Sequence, residues 1–161
     1  MPALEITRPT SQAALPCARP THARLQALLQ FWEDAAREAG GLPNRWRFTF
    51  EAMVPWLGHV AVWTVERDPL RFKAALIGTQ LTDWDGGDGT RQYLDEIISA
   101  THRDAALARF TLVAHAGRWY ADAGSFLAPR RTTATLHRLL LPCADDGVTV
   151  DRIVTAIFHD R

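Results

Sequence analysis

Two short runs of strand-forming residues, divided by a polar turn, set the tightest limit on how this chain can fold. Residues 59–65 (HVAVWTV) are dense in β-branched and aromatic side chains. Residues 71–77 (RFKAALI) alternate, which predicts Phe72, Ala74 and Leu76 on one face. Between them, Glu66-Arg67-Asp68-Pro69 reads as a turn. Two strands joined this closely pair as a hairpin, so the sheet contains an antiparallel pair.

The hairpin is preceded by a pattern of a different period. Leu25, Leu28, Leu29, Trp32, Ala35, Ala36 and Ala39 recur at helical spacing and form one apolar stripe, opposite Arg24, Gln30, Glu33, Asp34 and Arg37. Thr21 is placed to cap the start, and Gly40-Gly41 followed by Pro43 ends the helix. Residues 1–20 carry four prolines (Pro2, Pro9, Pro16, Pro20) and read as a loose arm, leaving residues 21–161 as one domain.

After the hairpin, residues 83–90 (DWDGGDGT) read as a loop, because three glycines in four positions hold no regular structure cheaply. A short helix over 91–100 buries Leu94, Ile97 and Ile98. Thr101 and Asp104 have capping-box spacing and open a second helix, with Ala106, Phe110 and Val113 inward and Gly117 at its end. Strands follow at 119–126, 135–141 and 148–158, divided by turns at Pro129-Arg130 and Asp145-Asp146-Gly147. The expected fold is α+β: a five-stranded antiparallel sheet with helices packed on one face, preceded by an N-terminal helix.

Composition narrows the function classes. Eighteen basic and eighteen acidic residues cancel, so no long-range positive field draws the chain to nucleic acid or an anionic membrane surface. The apolar stretch from Ala52 to Val65 contains Pro55, Gly58 and His59 and is too short to span a bilayer. Residues 1–20 are too interrupted for a signal peptide. Cys17 and Cys143 show no CxxC spacing and read as reduced thiols, which points to the cytoplasm.

Four stretches carry a resemblance. They are 68–79 (DPLRFKAALIGT), 86–96 (GGDGTRQYLDE), 139–147 (LLLPCADDG) and the run from Leu28 to Pro43. In this order they resemble the PAS family, and in particular a bacterial subfamily of short single-domain PAS-like proteins, over about residues 22–160. The chain departs from that subfamily at Ala74 and Ala75, where an aromatic and then a basic residue are usual, and at Arg91, where glycine is usual. The resemblance implies a sensory or regulatory domain that binds a small molecule or a signalling partner. It implies pairing as a homodimer through the N-terminal helix, at Leu25, Leu28, Leu29 and Trp32.

The candidate ligand site follows from the aromatics and polar groups expected on the sheet and on the helices opposite it. These are Trp63, Phe72, Leu76, Trp84, Tyr93, Phe110, Trp119 and Phe126, with Arg131 or His137 as a polar end. The bland alternative is that the aromatics simply pack a core. Asp83, Asp85 and Asp88 lack calcium-loop spacing, and the nearby glycines lack the lysine of a phosphate loop. No two histidines have HxxxH or HxH spacing; His102 and His115 are the helical positions from which a haem ligand would have to come. Cys143 reads as a buried thiol. Neither Ser99 nor Ser125 sits in a GxSxG turn. Asp95 and Glu96 are expected on different sides of a helix. No catalytic site or metal is therefore expected, and no cofactor is named. Two other readings stay open: a cone-shaped enzyme or carrier of the nuclear-transport-factor type, and an interaction protein with a filled core.

Overall fold

The computed structural model describes residues 18–81, 89–127 and 133–160, with side chains described outside 125–134. Most of the N-terminal arm, Cys17, Trp84, Arg131 and the Pro129-Arg130 turn lie outside the described residues.

Helix α1 runs Ala23–Ala39 and buries Leu25, Leu28, Leu29, Trp32 and Ala35, the stripe read from the sequence. Its cap is His22 rather than Thr21, because the amide of Arg24 donates to the His22 ring. Gly40 closes it at φ 68°, a left-handed position where a side chain would be strained. The next connection holds a 3-10 turn (Arg45–Arg47), the short helix α2 (Phe50–Met53) and a second 3-10 turn (Val54–Trp56).

Strands β1 (Val60–Glu66) and β2 (Arg71–Ile77) form the predicted hairpin. Helices α3 (Leu94–Ile97) and α4 (Ala100–Ala116) follow. Strands β3 (Tyr120–Leu127), β4 (Thr133–Cys143) and β5 (Arg152–Asp160) then form a meander. The order across the sheet is β2-β1-β5-β4-β3, with every neighbouring pair antiparallel. The hairpin thus forms one side and the meander the other, joined where β1 meets β5.

Each face of the sheet has its own apolar layer, because alternate residues of one strand point opposite ways. Trp63, Val65, Phe72, Leu140 and Ile153 pack with α3 and α4 on the inner face. Val60, Leu139, Leu141, Val154 and Phe158 pack with α1 on the outer face. The helices after the hairpin sit on one face as expected, and α1 covers the other.

Three local expectations fail for identifiable reasons. Val62 pairs with Leu76 but Trp63 pairs with Ala74, so Ala75 is an extra residue at a bulge. A bulge inverts the alternation beyond it. Leu76 therefore leaves the face of Phe72 and Ala74 and is 55% exposed. Helix α4 begins at Ala100 behind Ser99, one residue before Thr101, so the Thr101/Asp104 box is not its cap. Strand β5 starts at Arg152 instead of Val148. The Asp146 carboxylate accepts from the amides of Val148 and Thr149, and Asp151 accepts from the amide of Asp145, which prolongs the turn.

Candidate functional site

The predicted site residues divide among three places. Trp63 on β1, Phe72 on β2 and Phe110 on α4 meet beneath the inner face. Phe110 approaches Trp63 edge-on at 5.3 Å between centroids and lies 5.2 Å from Phe72. The Trp63 indole N–H donates to the Thr155 hydroxyl at 3.1 Å, which leaves that donor satisfied inside the apolar layer. These rings close on one another, as edge-to-face aromatic pairs do.

Tyr93 stands at the β2 edge instead. Its backbone bridges to Lys73, so the segment just before α3 covers that strand. The Arg71 guanidinium lies 3.5 Å over its ring, and its hydroxyl donates to Glu66 at 2.8 Å. That bond to Glu66 holds the phenol above its ordinary pKa. Arg71 donates to both Asp95 and Glu96, at 3.0 Å and 3.4 Å. The long guanidinium reaches both positions of the single helical turn.

Trp119 and His137 belong to the outer face. Trp119 packs against the α1 layer with Arg19 above its ring. His137 therefore lies across the sheet from Trp63, Phe72 and Phe110 and is no polar end to that cluster. Phe126 occupies β3 opposite Ala134. His102 and His115 face solvent on α4. Burial pushes the Cys143 thiol far up, which removes its nucleophilic form at neutral pH.

The four residues expected at a dimer surface are in the chain's own core. Leu25, Leu28 and Leu29 are fully buried against the sheet, and Trp32 donates to the carbonyl of Pro142 at 2.8 Å. Any pairing of two copies must use other residues.

Two features are absent from the sequence reading. The first is an apolar row after α1. Trp46 and Phe50 are each 70% exposed, Val54 55% and Leu57 41%. Met53 and Trp56, between them, turn inward, and the Trp56 indole donates to the carbonyl of Arg24 at 2.7 Å. Phe50, Val54 and Leu57 follow helical spacing, a signal that was readable but was interrupted by Pro55. The second is a polar cluster on the outer face. His22 and His59 both stack on Phe158, at 4.7 Å and 4.1 Å between centroids. His137 donates to Asp160 at 2.9 Å and lies 5.3 Å from the His22 ring. Beside it, a cleft of about 130 Å³ is lined by residues 18–21, 121–123 and His137. These residues are too far apart in sequence to announce one another.

No family model matches the chain, and no curated protein does. Among solved structures, it is similar to a sensory box sensor histidine kinase from Vibrio cholerae at 11% identity and a TM-score of 0.50. That match covers 80% of this chain and 96% of the other. The chain has a PAS-like fold. A light-oxygen-voltage domain studied with a flavin analogue also aligns, at 8% identity and a TM-score of 0.47, over 69% of this chain and 83% of that one. In the PAS-like frame, the aromatic cluster lies between sheet and helices, and the exposed row and histidine cluster lie on the α1 side. No described helix is long and apolar enough to cross a membrane.

Proposed function

We propose that this chain is a sensory or regulatory PAS-like domain that works through protein contact, first of all with a second copy of itself, in the cytoplasm and without catalysis. The observation that carries this reading is the two-sided apolar character of residues 46–57. Met53 and Trp56 anchor that segment to the core, while Trp46, Phe50, Val54 and Leu57 stand in solvent. Thr49 caps α2, so the row is presented on an ordered support. Contiguous exposed apolar surface on an ordered element marks an interaction site. A two-fold axis lets one such row meet its twin. The inner rings, packed on each other, serve as core in this reading. The Vibrio cholerae neighbour's name, a sensory box sensor histidine kinase, is in keeping with a regulatory role.

Sedimentation of the wild type against a Phe50→Glu/Val54→Glu double variant tests it. A wild-type dimer that becomes a folded monomer is the expected result. A wild type that stays monomeric up to its solubility limit removes the self-association reading.

A second reading, a small-molecule sensor, is favoured by the cleft beside His137. Denaturing mass spectrometry of the purified protein, with an absorbance spectrum taken first, distinguishes the two. A released molecule whose binding is lost in His137→Ala would install this reading in place of the first.

A further inference from the structure

The start of α1 is fastened to the sheet through the imidazole of His22. The amide of Arg24 donates to His22 Nδ1 at 3.3 Å. An amide can only donate, so this nitrogen carries no proton, and the neutral ring keeps its hydrogen on Nε2. That Nε2 lies 4.0 Å from an Asp160 oxygen. The other Asp160 oxygen accepts from His137. One carboxylate thus serves two imidazoles. The ring of His22 stacks on Phe158, and the segment Ala18–Thr21 just before it borders the cleft shared with Ala121, Ala123 and His137.

A second proton on His22 must go to Nδ1. It would face the Arg24 N–H, so the cap bond would be lost. The new charge would also sit among His137 from β4, His59 just before β1 and Arg24 on α1, with Asp160 of β5 the one opposing carboxylate among the described residues.

We propose that His22, Phe158, His137 and Asp160 form an acid-opened latch, which holds residues 18–22 and the first turn of α1 on the outer face at neutral pH and releases them on protonation of His22. Opening uncovers the β4–β5 surface around Phe158 and His137.

The electrostatic balance agrees with the geometry. Burial lowers the affinity of His22 for a proton, Asp160 opposes this, and His137, Arg24 and His59 lower it further. The closed latch therefore binds a proton less well than the open one. Its stability is complete above the ordinary histidine pKa of 6.5 and is lost as pH falls from there through the lowered native value.

Amide hydrogen exchange on the full chain, corrected for intrinsic rates, reads this directly. Between about pH 7.5 and about pH 5.5, protection at Arg24 and Gln26 is expected to fall several-fold, by at most about tenfold per pH unit. Amides of the inner β5 pairing should not follow. His22→Asn retains a capping side chain but does not titrate, and its protection should stay level. In His137→Gln the fall should be smaller and level off at higher pH, because a lowering neighbour is gone and the native pKa of His22 moves closer to 6.5. Flat wild-type protection, or the same fall in His22→Asn, would overturn the latch. So would an imidazole titration by NMR that places His22 at or above 6.5.

Discussion

The indole of Trp32 donates to the carbonyl of Pro142 across 2.8 Å, and this bond fastens α1 to the end of β4. It explains why the apolar stripe of α1 is core and not a surface for pairing. Trp32→Phe keeps the packing but leaves a buried carbonyl without its donor. The expected loss is about 1–3 kcal/mol, read from the midpoint of urea unfolding. Leu28→Asp, by contrast, should unfold the protein and not merely change its mass in light scattering. A folded, lighter Leu28→Asp protein would return the stripe to the role of an interface.

Phe110 couples α4 to both strands of the hairpin through Trp63 and Phe72. Phe110→Ala removes a large buried ring and leaves a cavity. Destabilisation of about 3–5 kcal/mol is expected in denaturant titration. A cost below about 1 kcal/mol would mean that the layer collapses onto the gap and that the three rings are not tightly packed.

The bulge at Ala75 makes opposite predictions for two residues that simple alternation treats alike. Leu76→Lys should change stability by no more than about 0.5 kcal/mol, as exposed substitutions do. Phe72→Ala should cost about 3–5 kcal/mol. Thermal melts of the two variants side by side separate a bulged strand from a regular one.

Asp122 joins three elements. Arg138 donates to it at 2.8 Å, Arg109 at 2.9 Å and the Tyr120 hydroxyl at 3.2 Å. Burial alone would raise its pKa. The bond and charge of Arg138, then Arg109 and the Tyr120 hydroxyl, outweigh burial and hold the carboxyl below its ordinary 3.8. A depressed carboxyl contributes stability that is complete above its unfolded value and is lost as pH falls through the native one. Acid unfolding of the wild type should therefore steepen below about pH 4. In Asp122→Asn the protein should be less stable at neutral pH and that limb should flatten. An unchanged acid limb would show that the arginines do not hold the carboxylate in solution.

Much of the fold was legible. Helix α1 and the β1–β2 hairpin carry periodic apolar patterns, and a period belongs to a stretch of neighbouring residues; α4 and the three closing strands were placed by their apolar residues and the turn signals between them. Gly40 and Gly117 ended their helices as read, because a left-handed φ at a helix end favours glycine wherever the helix lies. Caps were read less well. His22 took the place of Thr21, and Ser99 took the place of Thr101, since a cap depends on where the preceding chain enters the helix.

The candidate sites were less legible still. Trp63, Phe72 and Phe110 do meet on the inner face, where the sequence places their apolar side chains. Tyr93, Trp119 and His137 were grouped with them wrongly. Their types suit a pocket, but residue type does not say which side of a sheet a side chain takes. By itself the sequence determined which stretches are helix or strand, and that an antiparallel sheet forms. Only the tertiary structure decided that α1 lies on the opposite face from α4 and that Ala75 inverts Leu76. It alone brought His22, His59, His137 and Asp160 to one end of the outer face. Those outcomes depend on contacts between residues distant along the chain, and local periodicity carries no record of them.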